Sequence, residues 1–257
     1  MKAASQFFDI NRFGYTLRLD LAVAARKLIL RAILMFGTIA LGMYFIFDNW
    51  FINEDLGGLN VFFIFMAMIY GIISGSMFME DYSSRDLRLN SLMLPASTFE
   101  KFLSRTVICV IMTLVAYVAL FYLADFFRVM ILKALSAPDA YVPYFSISDV
   151  FINNATCTSL ILSYLCAQAT FILGSTIWPK HPFVKTFAAL FVLLVLFSFF
   201  IGYVLKSFGA FNFAIGTLIL ERNDFTCASY VFNICYILFC YIISYFRMRE
   251  NEIINRL

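Results

Sequence analysis

Charge is scarce in this chain, and histidine is almost missing. Charged residues make up 14% of the 257 residues, and there is one histidine, His181. Soluble domains carry about 25% charged residues, so this deficit argues against a soluble globular domain. The sequence also contains no Walker-type phosphate loop, no H-E-x-x-H motif and no G-x-S-x-G motif. We therefore predict that the chain is not an enzyme and holds neither a cofactor nor a metal. A net charge of +3 without any block of like charge also argues against nucleic-acid binding.

Hydrophobic residues are correspondingly abundant, at 63% of the chain, and 32 residues are phenylalanine. Apolar runs of about 20 residues, long enough to cross a bilayer as helices, recur along the sequence. They predict an all-α integral membrane protein whose residues 1–257 form one transmembrane domain. The six expected transmembrane helices are residues 28–47, 61–78, 107–126, 155–177, 187–205 and 227–246.

Six cysteines are present, but no C-x-x-C pair or Cys/His spacing typical of a metal site. Four of them lie inside apolar runs, where cysteine behaves as a small hydrophobic residue: Cys109, Cys166, Cys235 and Cys240. Cys157 and Cys227 are expected near the outer surface. Their spacing alone leaves open whether they form a disulfide.

The most charged stretch between two apolar runs is residues 79–105. Its eight charged side chains would cost on the order of 20 kcal/mol at mid-bilayer, so it must lie outside the hydrocarbon. Ser83 and Asp86 have the spacing of a capping box, and so do Ser97 and Glu100. Pro95 separates the two, because the residue before proline is disfavoured in a helix. We predict a short amphipathic helix, a tight turn, and a second helix that continues into the third span.

Residues 92–105, LMLPASTFEKFLSR, resemble the loop after the second span in permease subunits of bacterial ATP-binding-cassette exporters of the ABC-2 type. This resemblance implies that the short helix is a coupling helix, which docks on a separate ATP-binding-cassette ATPase subunit. It also implies a second permease copy or paralogue as partner, and a location in the bacterial inner membrane. The expected docking residues are Arg85, Asp86, Arg88, Leu89, Leu92 and Met93.

Residues 5–27 alternate apolar and charged side chains, with Phe13, Leu17 and Leu21 on one helical face. This pattern predicts an N-terminal helix lying in the membrane interface; the alternative is a positively charged lead that only sets orientation. Gly71 and Gly75 have the small-xxx-small spacing that allows close helix packing. Residues 210–220 are too short to span and suit a half-buried or interfacial segment.

Lysine and arginine are distributed unequally between the two sides of the predicted bundle. Residues 1–31 carry six, residues 79–105 carry four, the loop after span four carries two and the C-terminal tail carries three. These fifteen lie on one side, against four on the other. The positive-inside rule therefore predicts that both termini and the charged loop are cytoplasmic.

The spans contain almost no ionisable residue, and Asp125, near the outer end of the third span, comes closest. Ion pumps and proton-coupled carriers usually place charges inside their spans. We therefore expect energy to come from a partner, as in an exporter permease driven by ATP hydrolysis in another subunit. The alternative is a stand-alone polytopic membrane protein with an assembly, immunity or sensor role. The sequence leaves the substrate, the transport direction and homo- versus heterodimerisation open.

Overall fold

The computed structural model describes residues 8–48, 57–80, 96–135, 144–150, 154–208 and 222–254. Within these ranges every regular element is a helix and there is no strand. Six of the described helices are long and apolar enough to cross a membrane. The prediction of an all-helical chain with six such helices is therefore confirmed for the described residues, and they are the helices of a multi-pass membrane protein. The re-entrant segment predicted at residues 210–220 lies outside them.

The helices are numbered in chain order. The α-helices are α1 (Ile10–Asp48), α2 (Gly57–Ser76), α3 (Thr98–Thr106), α4 (Thr113–Leu135), α5 (Ile147–Val150), α6 (Asn154–Ile177), α7 (Pro182–Phe208) and α8 (Arg222–Ile254). A π-helical stretch, Val107–Met112, joins α3 to α4 without a break, and together they form the third apolar helix.

Helix boundaries differ from the sequence prediction mainly at α1. The sequence divides residues 5–47 into an interfacial helix and a span because polarity changes near residue 28. The structure runs Ile10–Asp48 as one helix. A change of side-chain polarity does not interrupt backbone hydrogen bonding, and no proline stands in this region to do so. An interfacial position for the first part of α1 stays a prediction.

Two groups of helices form the bundle. Helix α6 packs against α2 on one side and α8 on the other, and α7 packs mainly on α6. Helix α1 lies along α3 and α4. An aromatic cluster fills the space between α1, α2 and α4: Phe63 lies with its ring centroid 4.8 Å from that of Phe121, and Phe145 lies 4.8 Å from the same ring. Asp125 closes this cluster, because its carboxylate pairs with Arg128 at 2.6 Å and accepts the Phe145 N–H at 2.9 Å.

Gly71 and Gly75 lie where α2 meets α6 most closely. A Cβ atom at Gly71 would stand 2.5 Å from Cε2 of Tyr164. One at Gly75 would stand 2.7 Å from the backbone carbonyl oxygen of Gln168. The absence of a side chain at these two positions is therefore what allows the helices to approach to this distance.

Helix α7 stands at the outside of the bundle. Only 6% of the residues in its most apolar 18-residue stretch are buried. Its outward face carries large exposed side chains such as Phe191, Leu194 and Phe197. An apolar surface of this extent is compatible with contact to lipid rather than water.

Replacing Gly75 with alanine is expected to destabilise the bundle. The new methyl group meets backbone rather than the end of a flexible side chain, so α2 and α6 must separate. We expect the apparent melting temperature in detergent, followed by intrinsic fluorescence, to fall by about 3–10 °C.

Gly202→Ala is the matched control, because a Cβ at Gly202 has nothing within 4 Å. Its melting temperature should stay within about 2 °C of wild type, since alanine is the better helix former. Equal stability of the two variants would contradict the close approach of α2 and α6.

Candidate functional site

The predicted coupling helix falls in residues 81–95, so Arg85, Asp86, Arg88, Leu89, Leu92 and Met93 all lie outside the described residues. Both flanks of this segment are described. Glu80 precedes it, and α3 follows it. The site is therefore built from these flanks and from the elements that hold them.

Helix α3 begins with the capping box that the sequence predicts. The Glu100 N–H donates to Oγ of Ser97 at 3.2 Å, and the Ser97 N–H donates to Oε2 of Glu100 at 3.0 Å. Each side chain thus satisfies a backbone N–H that the first turn of a helix leaves without a partner. The prediction of a capped helix start at Ser97 is confirmed.

The Glu100 side chain also attaches α1 to α3. It is fully buried, and the Arg12 guanidinium donates to both of its oxygens, with Nε lying 2.7 Å from Oε2. Nη2 of Arg12 and the Asp9 N–H donate to Oε1 at 2.8 and 2.9 Å. A buried carboxylate is tolerated only when its lone pairs are engaged in this way. Glu100 therefore holds the beginning of α1 against the beginning of α3.

Further along α1, two more contacts reach the same region. Oγ of Ser104 donates to the Asp20 carboxylate at 2.6 Å. Nζ of Lys27 and Nη2 of Arg31 reach the two oxygens of Glu80 at 3.0 and 2.5 Å. Helix α1 is therefore attached to the chain both before and after residues 81–95.

Two cations of the charged stretch are buried in protein rather than exposed to water. Lys101 and Arg105 are 2% and 7% exposed, and Nη1 of Arg105 lies 3.7 Å from the sulfur of Met79. They lie beside a second apolar cluster, where the rings of Phe78 and Tyr245 flank Phe102 at centroid distances of 5.3 and 5.7 Å. The end of α8 is thereby attached to α3 as well.

The end of the bundle assembled in this way is called the charged end below. It comprises the first half of α1, residues 77–80, α3, the turn between α6 and α7, and the end of α8.

A polar junction lies deeper in the bundle, at the π-helical stretch. The carbonyl oxygen of Cys109 accepts hydrogen bonds from Oγ of Ser74 at 2.6 Å and from Nε2 of Gln168 at 2.9 Å. Ser74 also bonds Oγ1 of Thr113 at 2.9 Å. The wider turns of π-helices inside α-helices are frequently found at functional sites. Helices α2 and α6 are thus bonded to the third apolar helix at the point where its geometry changes.

Sequence reasoning missed this junction and the Glu100–Arg12 pair. The signal for the junction is Gln168, whose amide stands alone in an otherwise apolar run. The pair has no local signal, because its members are 88 residues apart.

Chemically, the arrangement joins helices through ion pairs and hydrogen bonds. In the described ranges no group of three or more His, Cys, Asp or Glu side chains could hold a metal ion. The described cysteines form no disulfide: Cys109, Cys166, Cys235 and Cys240. Comparisons with family models, with curated proteins and with solved structures find no match for this chain.

Glu100→Gln should destabilise the charged end. The substitution keeps the shape but removes the charge that Arg12 and the Asp9 amide engage, leaving a guanidinium without its partner. We expect the apparent melting temperature in detergent to fall by about 6 °C or more.

Glu250→Gln supplies the control, since it removes the same charge from an exposed pair with Arg247. Exposed pairs contribute little, so its melting temperature should change by no more than about 2 °C. If both variants melt like wild type, Glu100 does not hold α1 to α3.

Proposed function

We propose that this chain is the permease subunit of a bacterial ATP-binding-cassette exporter, with its charged end facing the cytoplasm. The observation that carries the proposal is the way both flanks of residues 81–95 are attached. Glu80 on one side, and Glu100 with Ser104 on the other, bind the same helix, α1. A segment that only connected two spans would not need such attachment.

The attachments define a route for mechanical coupling. Helix α3 starts directly after the segment and continues through the π-helical stretch into α4. A displacement imposed on residues 81–95 would therefore reach the third apolar helix through α3, and α1 through the ion pairs. ATP binding and hydrolysis in a partner subunit would supply that displacement.

The charge distribution supports the orientation. In the topology predicted from the sequence, fifteen of the nineteen lysines and arginines lie on the same side as residues 79–105. Several of them, including Arg12, Lys27 and Arg31, sit in ion pairs there. The positive-inside bias and the docking role require the same side of the membrane, the cytoplasmic one. The amphipathic pattern of residues 84–93 supplies Leu89, Leu92 and Met93 for an apolar groove on the ATPase, with Arg85, Asp86 and Arg88 at its rim.

The test is co-purification in detergent with the ATP-binding-cassette ATPase encoded beside this chain. We expect the tagged wild-type chain to capture the ATPase. The double variant Leu92→Asp/Met93→Asp should lose at least about 90% of it, because two carboxylates would be buried without partners in the contact.

Tyr144→Asp is the control, since it replaces an exposed side chain at the opposite end of the bundle with a carboxylate. It should capture as much ATPase as wild type. All three proteins must elute as the same species in size-exclusion chromatography. No capture by the wild-type chain would refute the permease proposal and favour a stand-alone membrane protein.

A further inference from the structure

A cavity of about 530 Å³ opens at the charged end, between the end of α2 and the beginning of α7. This volume lies within the usual range of ligand pockets. Nothing in the coupling role requires such a cavity at this place. Its walls are formed by two short stretches, residues 76–80 and 179–184. The residues that line it include Glu80, Lys180, His181, Phe183 and Val184.

One membrane-spanning candidate, α2, ends at Ser76 and another, α7, begins at Pro182, so the cavity lies at the boundary where two apolar helices stop. Lipid headgroups occupy this boundary when the two helices cross a bilayer. This placement holds whichever side of the membrane the charged end faces.

The electrostatics of the cavity favour an anion. Glu80 is the one carboxylate in the lining, and each of its oxygens is already engaged by a cation, Lys27 or Arg31. Lys180 adds a further positive charge to the lining and makes no ion pair with any described residue. Glu80, Lys27, Arg31 and Lys180 together therefore carry a net positive charge, although Glu80 itself lines the cavity.

The turn that presents Lys180 is held at both ends. His181 has φ of 54°, in the left-handed region that residues other than glycine rarely adopt. Pro182 follows it and disfavours the helical conformation for His181. The Trp178 N–H donates to Gly174 before the turn, and the Lys185 N–H donates to the His181 carbonyl after it. Strain of this kind persists where the surroundings hold it, often at ligand sites.

One wall of the cavity is apolar and continues toward the lipid. Phe183 lines the cavity and stacks on Phe187 one turn further along α7, with ring centroids 6.2 Å apart. Beyond Phe187 lies the exposed apolar face of α7. A ligand with an anionic head and apolar chains would therefore match the cavity and the helix surface beside it.

We propose that this cavity binds the headgroup of an anionic phospholipid, with the acyl chains lying along α7. Lys180 contacts the phosphate, and Phe183 and Val184, in the first turn of α7, line the same space, where a helix N-terminus favours an anion. Basic pockets between membrane helices bind anionic headgroups in this way. A free phosphate compound shares the headgroup chemistry but leaves the apolar wall without a partner.

Trp178 gives a local readout, because it directly precedes Pro179 in the cavity wall. Trp50 is the only other tryptophan, so Trp50→Phe leaves Trp178 as the single indole. The single-tryptophan protein is reconstituted in vesicles of phosphatidylcholine that contain brominated phosphatidylglycerol or brominated phosphatidylcholine, and fluorescence quenching gives the relative binding constant. We expect the binding constant for brominated phosphatidylglycerol to be about five times that for brominated phosphatidylcholine, which is the effect of one lysine at a membrane surface.

Lys180→Gln should abolish this preference. Lys185→Gln should preserve it, because Lys185 is exposed in the first turn of α7 but does not line the cavity. Val184→Phe, which narrows the cavity without changing charge, should reduce the preference as well.

Three results would overturn the proposal. Equal quenching by the two lipids would mean that no anionic site exists. Equal loss in Lys180→Gln and Lys185→Gln would indicate diffuse attraction to the surface. Displacement of the brominated phosphatidylglycerol by millimolar inorganic phosphate would show a site for soluble phosphate and not for lipid.

Discussion

The carboxylate of Glu100 is the constraint on which the charged end depends. It is fully buried, and burying an ionised carboxylate is unfavourable unless donors surround it. Here the donors come from three places: the capped start of α3, the guanidinium of Arg12 and the backbone at Asp9. Because a single carboxylate accepts hydrogen bonds from all three donors, the positions of α1 and α3 are set together. The contacts from Asp20, Lys27 and Arg31 then follow along the same helix.

A second polar centre, the Cys109 carbonyl, plays a comparable part inside the apolar bundle. Apolar side chains alone specify helix positions weakly in a membrane, since lipid is an equally good partner for them. The two hydrogen bonds from Ser74 and Gln168 have a defined direction and length, and the glycines of α2 bring α6 near enough for them to form. Specific packing in this protein therefore depends on a few polar atoms together with the absence of side chains at Gly71 and Gly75.

Local patterns predicted the features that depend on local interactions. Apolar runs predicted the six long helices, because a helix in lipid satisfies its backbone within itself. Ser97 and Glu100 predicted the helix start, because a capping box involves only neighbouring residues. The sequence did not predict that Arg12 binds Glu100, since distant pairs leave no periodic signal. It did not predict the π-helical stretch either, because residues 107–112 read as an ordinary apolar helix. The continuity of α1 was missed because polarity was used to place a boundary that the backbone does not have.

The lengths of two helices have a geometrical consequence. At 1.5 Å per residue, the 39 residues of α1 extend about 58 Å, and the stretch from Thr98 to Leu135 is almost as long. A hydrocarbon core of about 30 Å would contain such a helix only at a tilt of roughly 60°, well beyond the usual range of up to about 40°. Each helix therefore projects beyond the hydrocarbon. Since the Arg12–Glu100 ion pair and the Ser104–Asp20 hydrogen bond join the first half of α1 to α3, the two long helices are held side by side over a length that the hydrocarbon cannot contain.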